Sequence, residues 1–344
     1  MDSQHAAGSR LTQIKLRAPY LVFIGDADIS MAKTGLGIVQ WRPECVAGQL
    51  RFSGCQTNLG VADMSIAEAL EAGVKSLVVG VAPIGGDLPK AWWDVLAEAA
   101  AAGLDVVSGL HVKLSDQPAT VAAAARSGAH LIDVRVPPDK LPIGCHNKRR
   151  GKRLLTVGTD CAVGKKYTAL ALAQALNSSG VKATFRATGQ TGIMIAGEGI
   201  PIDAVVADFI SGAAELVSPD NHPDHWDVIE GQGSLFHPGY AGVSLGLLHG
   251  SQPDAFVICH EANRTVSDEG HAIPTIEQCI ELNTVMGRLT NPDICCVGVS
   301  VNTSSLPLAQ RSEYLTELSG QLGLPCVDPL IEGCGLLIEQ LGCI

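Results

Sequence analysis

Charge is scarce in this chain. Only 17% of its 344 residues are Asp, Glu, Lys or Arg, against 46% hydrophobic ones, a balance that excludes a disordered protein and describes well-buried cores. No stretch approaches the roughly 18 uninterrupted apolar residues of a membrane span. The opening MDSQHAAGSRLTQIKLRAP also lacks the apolar centre of a signal peptide, so the protein is expected to be cytoplasmic, with no membrane partner. The eleven cysteines are odd in number, scattered and never spaced Cys-x-x-Cys, which argues for reduced core thiols over disulfides. Basic residues number 24 against 35 acidic ones, and the net charge of −11 argues against nucleic acid as a partner. After the first apolar run, FIGDADISMAKTGLG does not spell G-x-G-x-x-G, so a nicotinamide cofactor is not expected. HPDH, His222 to His225, has no third metal ligand close in sequence and reads as a surface loop rather than a zinc site.

What is present is alternation. The runs YLVFIGDADI, ECVAGQLRF, SLVVGVAPIGG, DVVSGL and HLIDVRVPP read as strands, separated by alanine-rich helical segments. Ser65 and Glu68 form a capping box in SIAEALEAG, and Gly103 closes LPKAWWDVLAEAAAAG. Alternating strand and helix imply a parallel α/β sheet. Three prolines and a charge run then break the pattern near residues 137 to 152, after which RLLTVGTD, KATFRAT, DAVVADFI, WDVIEGQGSL, DAFVICHEA and ICCVGVSVNT read as the strands of a second α/β domain. The division is a tail over 1–19, one domain over 20–145 and another over 146–344. NKRRGKR, Asn147 to Arg153, concentrates five basic residues and reads either as a solvated linker or as help for an anion bound next to it.

The anion is suggested by VGTDCAVGKKYTALALAQAL, Val157 to Leu176. A phosphate loop is ordinarily G-x-x-x-x-G-K-[ST], with backbone N–H groups around the phosphates, lysine neutralising charge and the hydroxyl on Mg²⁺. Here Gly158 and Gly164 enclose five residues, and Lys165 is followed by Lys166. The nine residues Gly158-Thr159-Asp160-Cys161-Ala162-Val163-Gly164-Lys165-Lys166 instead resemble the G-T-D-x-x-V-G-K-T of dethiobiotin synthetase and its relatives. A second lysine in place of the hydroxyl disfavours Mg²⁺-assisted phosphoryl transfer and suits a pyrophosphate that is held rather than split. Coenzyme A carries such a group, so Gly158, Thr159, Asp160, Val163, Gly164, Lys165, Lys166 and Tyr167 are the expected coenzyme contacts, and no metal is expected.

VGTDCAVGKKYTALAL, FRATGQTGIMIAGEGIPIDAVVADFISGAAE, WDVIEGQGSLFHPGY, GLLHGSQPDAFVICHEANR and DMSIAEALEAG together resemble one family over nearly the whole chain beyond residue 20. That family is the D-glutamate N-acetyltransferases, with a Rossmann-like N-terminal domain and a P-loop C-terminal domain. The resemblance implies acetyl transfer from acetyl-CoA to the amino group of D-glutamate; an ATP-dependent ligase or kinase of the dethiobiotin synthetase-like class is the alternative. The chemistry needs a base, donors for the thioester oxyanion and cations for two carboxylates. Glu230, ending WDVIE, is the leading base, with a Mg²⁺ ligand and a plain strand-end carboxylate as its other readings. His237 and Asp208 are the further catalytic candidates. Arg186 and Arg264 are candidates to grip carboxylates, and Thr188 and Gln190 of TGQTG to contact substrate. The first domain reads as scaffold and oligomer surface, and a homo-oligomer is expected.

Overall fold

Short β-branched runs bounded by glycine and capped helices build two parallel sheets in the computed structural model, which describes residues 12–13, 16–83, 88–267 and 269–344. By internal contacts the chain divides into two units: Thr12–Val136 with Ile193–Pro201, and Pro137–Gly192 with Ile202–Ile344. The elements of the first half are β1 (Thr12–Gln13), β2 (Tyr20–Gly25), α1 (Lys33–Trp41), β3 (Val46–Arg51), α2 (Ile66–Glu71), β4 (Ser76–Val79), α3 (Lys90–Ala101), β5 (Asp105–Ser108), α4 (Pro118–Ser127) and β6 (Leu131–Asp133). Its five-stranded sheet runs β3-β2-β4-β5-β6, parallel throughout. All six residues of β2 are buried, as expected of a central parallel strand covered on both faces. The Ser65–Glu68 capping box opens α2 as expected, and Gly103, at φ 90°, supplies the left-handed residue after α3 that a side chain would resist.

The second half contains β7 (Lys152–Gly158), α5 (Lys165–Ser178), β8 (Ala183–Arg186), α6 (Gln190–Ala196), β9 (Glu198–Gly199), α7 (Ile210–Val217), β10 (Trp226–Ile229), α8 (Ala241–Ser251), β11 (Ala255–Glu261), α9 (Ile276–Gly287), β12 (Cys295–Asn302), α10 (Arg311–Leu322), β13 (Cys326–Val327) and α11 (Gly335–Leu341). β9 leaves to pair antiparallel with β1. The other strands form a parallel six-stranded sheet in the order β13-β12-β11-β7-β10-β8, with β7 between β10 and β11. The chain runs from β7 to one side and later returns to the other, so the carboxyl end of β7 is the switch point where open α/β sheets bind ligands.

Three expectations change. DAVVADFI is not a strand: Ile202–Ala204 and Ala207–Phe209 are 3₁₀ turns leading into α7. The buried positions Ile202, Val205, Ile210, Ala213, Ala214 and Val217 follow helical spacing, which a short apolar run conceals. The second unit also begins at Pro137 rather than at residue 146, because the segment before β7 packs on α7. Cys145 N–H bonds Glu215 Oε1 at 2.8 Å, and a side chain on Gly212 would collide with the Pro142 carbonyl.

Finally, the basic run is only partly solvated: Lys148 and Arg150 are exposed, whereas Arg149 and Arg153 are built into the domain. Arg153 is 1% exposed and donates to Ser218 Oγ and to the carbonyls of Arg149, Arg150 and Gly151. Arg149 reaches the carbonyls of Gly250 and Ser251, and Arg150 pairs with Asp220 at 2.6 Å. The run precedes β7, whereas the glycine loop follows it, about 20 Å away at 3.3 Å per residue. Arg153→Ala is therefore expected to destabilise the protein by about 3–5 kcal/mol, as for other buried charges whose network is broken. Urea unfolding measures it, and an unchanged midpoint would return Arg153 to the solvated role.

Candidate active site

The loop after β7 is shaped by two left-handed residues, Ala162 at φ 57° and Gly164 at φ 107°, and Gly164 caps the fourteen-residue α5. The N–H groups and dipole of that helix end favour an anion. Lys165 opens α5, is 7% exposed, and lies back along the loop with Nζ donating to the Asp160 carbonyl at 2.6 Å. A side chain on Gly158 would come within 3.1 Å of that ammonium, so the glycine gives the lysine its room. Burial pushes the Lys165 pKa down, while nearby Cys161, Cys259, Asp160 and Glu230 oppose the shift. Lys166 Nζ lies 4.4 Å from the centre of the Tyr167 ring. Thr168, the next hydroxyl, bonds Ser300 Oγ at 2.7 Å and does not replace the missing loop hydroxyl. Thr159 is buried with Oγ1 3.1 Å from His260 Nδ1, and Val163 is buried beneath the loop.

Glu230 follows β10 directly and is 4% exposed. Its Oε2 accepts the N–H groups of Thr188 and Gly189, each at 3.0 Å, and Thr188 Oγ1 donates to the Glu230 carbonyl. Gln232 Nε2 donates to Thr188 Oγ1 at 2.9 Å. Burial raises the Glu230 pKa, and the N–H of Gly189, the charge of Lys166 and the N–H of Thr188 partly restore it. A side chain on Gly192 would come within 2.2 Å of Glu230 Oε2, and one on Gly231 within 3.3 Å of the Lys165 stem. The charge of Glu230 acts on Lys165 and that of Lys166 on Glu230, so the loop lysines and the buried carboxylate are neighbours.

The other candidates separate. Asp208 is exposed in the 3₁₀ turn Ala207–Phe209, not at a strand end. Arg186 ends β8 and pairs with Asp227 at 2.8 Å. Arg264 joins Asp160 Oδ2 at 2.7 Å to Glu261 Oε2 at 3.2 Å, bracing the loop from the end of β11. Gln190 is half-buried at the start of α6. His237 is buried; its Nδ1 accepts the Gly239 N–H at 3.1 Å, and its Nε2 lies 3.1 Å from Glu269 Oε2. Bonded at both nitrogens, the ring has no lone pair left for a substrate proton.

Among the described residues, one group of metal-ligating side chains converges: Asp160, Cys161 and His237, with ligand atoms within 4.8 Å of one another. Asp160 is held by Arg264 and His237 by Gly239 and Glu269. Burial pushes the Cys161 thiol up to about 11, away from the thiolate that binds metal. Sequence reasoning did not single out Cys161, Gln232 or Glu269. Gln232 had a signal in EGQGS, between two glycines, whereas Glu269 lies 32 residues from His237 and had none.

A parallel sheet with a glycine loop, its lysine and a helix N-terminus at the switch point defines a P-loop α/β protein. Residues 142–338 match the P-loop domain of a family described as a domain of unknown function, DUF1611, and residues 50–137 match its Rossmann-like N-terminal domain. The chain belongs to the DUF1611 family. It is 48% identical over 332 residues, 96% of this chain and all of the relative, to a D-glutamate N-acetyltransferase of Tritonibacter scottomollicae. A D-glutamate N-acetyltransferase of a Pseudoalteromonas species is 49% identical over 331 residues, 95% of this chain and again the whole relative. The crystal structure of a DUF1611 family protein from Anabaena variabilis superposes with a TM-score of 0.84 at 31% identity, covering 95% of this chain and 99% of that one. No helix among the described residues is long and apolar enough to cross a membrane.

Proposed function

We propose that this protein transfers the acetyl group of acetyl-CoA to the amino group of D-glutamate. The observation that carries the reading is the end-to-end identity of 48 and 49% with two relatives that bear that activity in their names. Glu230 takes the proton that the ammonium must lose before its nitrogen can attack the thioester carbon. Its raised pKa suits that work better than an ordinary surface carboxylate would.

The loop, with Lys165 and Lys166, holds an anion beside this centre. The diphosphate of the coenzyme and the carboxylates of D-glutamate share that chemistry. Diphosphate and thioester are joined by an arm of about a dozen bonds, roughly 15 Å when extended. With Glu230 a neighbour of Lys165, the diphosphate fits the loop only when the arm folds back, while the carboxylates of D-glutamate meet no such constraint.

The test mixes the protein with D-glutamate and acetyl-CoA and follows free thiol. Thiol release is expected, and it is expected to survive EDTA, because aminolysis of a thioester has no γ-phosphate to neutralise and two lysines balance the bound anion. ATP is expected to remain intact. Mg²⁺-dependent ATP hydrolysis stimulated by D-glutamate, without thiol release, would replace this reading by the ligase one.

A further inference from the structure

The buried Thr188 hydroxyl is engaged from two sides, and this fixes the side chain beyond it. The Glu230 carbonyl can only accept, so Thr188 Oγ1 gives its one hydrogen there, at 2.5 Å. Only lone pairs are left on that oxygen, and one of them accepts from Gln232 Nε2 at 2.9 Å. The Gln232 amide therefore has one orientation: its nitrogen faces Thr188, and its Oε1 faces away. Gln232 is half-buried. Among the described residues no donor reaches its Oε1, and that oxygen is not enclosed.

Glu230 is divided in the same way. Oε2 takes the N–H groups of Thr188 and Gly189, whereas Oε1 accepts nothing from the described residues and stays open. A side chain on Gly189 would come within 2.9 Å of Gln232 Nε2 and 3.1 Å of Glu230 Oε1, so the amide and the open carboxylate oxygen lie against the same glycine. Two acceptors, one charged and one neutral, are thus presented together, each steadied through its other polar atom. The charges around them are mixed. Lys166 acts on Glu230 with the opposite sign and Asp203 with the same sign. An α-amino acid has a matching layout, with its ammonium next to its carboxylate.

We infer that Gln232 is the second acceptor for the ammonium of the amino-acid substrate, its Oε1 holding the nitrogen that Glu230 Oε1 also holds. This rests on the acetyltransferase reading but not on which anion fills the phosphate loop. The first proton that nitrogen sheds passes to Glu230 Oε1 and on to solvent. The freed lone pair forms the bond to the thioester carbon, the carbon–sulfur bond breaks, and a second proton from nitrogen ends on the sulfur of coenzyme A. A neutral amide accepts a hydrogen bond without taking the proton. Gln232 therefore decides which N–H meets Glu230, and with it where the lone pair points.

The test uses Gln232→Met, which keeps the length of the side chain, and Gln232→Ala, which removes it; both lack Oε1. In each, the KM for D-glutamate is expected to rise about ten- to 150-fold, the worth of a hydrogen bond to a charged group, with the KM for acetyl-CoA within about threefold of wild type. Glutarate, which keeps both carboxylates of D-glutamate and lacks the ammonium, is expected to inhibit variants and wild type equally. A wild-type KM for D-glutamate in a folded variant overturns the inference. So does a rise matched by an equal loss of glutarate inhibition, which makes Gln232 a support of the site rather than a reader of the ammonium. A wild-type protein that releases no thiol from acetyl-CoA and D-glutamate overturns the acetyltransferase reading itself and, with it, this role for Gln232.

Discussion

Glu230→Gln is expected to lower turnover by about 10² to 10⁴, the contribution of a positioned general base, while KM for both substrates changes little. The substitution keeps the shape of a side chain that is 4% exposed and leaves an oxygen to accept from Thr188 and Gly189, so the fold should survive. What it removes is the ability to take a proton. Because burial holds the Glu230 pKa above the ordinary carboxylate range, the wild-type rate should fall on the acid side as that group protonates, and this limb should be missing from the residual activity of the variant. A pH–rate profile of both proteins measures it. If the variant keeps wild-type turnover from pH 6 to 9, Glu230 is a structural carboxylate that ties β10 to the turn after β8.

Lys165→Ala should weaken the bound anion by about 1.5–3 kcal/mol, the worth of a hydrogen bond to a charged group, or about ten- to 150-fold. The ammonium now rests on the loop's own Asp160 carbonyl, so an arriving anion exchanges one buried partner for another rather than drawing a cation from water. Calorimetry with acetyl-CoA and the KM for D-glutamate, measured together, identify the occupant. A loss confined to acetyl-CoA places the diphosphate in the loop; one confined to D-glutamate places its carboxylates there. If neither changes in a folded variant, the loop has no part in substrate binding.

Two kinds of information separate in this chain. The alternation of strand and helix, the glycine loop opening α5, the Ser65–Glu68 capping box and the position of Glu230 beyond β10 can be read from the order of residues alone. These are local features, set by periodicity, by residues that tolerate or resist a backbone form, and by bonds spanning three or four positions. What the charges do is settled by long-range contacts in the folded chain. Arg186 meets Asp227 across 41 residues and Arg264 meets Asp160 across 104, so the two arginines that look like carboxylate grips carry carboxylates of the protein itself. The basic run before β7, which reads as solvated, contributes a buried arginine because the carbonyls and the Ser218 hydroxyl that satisfy it converge only in the folded chain.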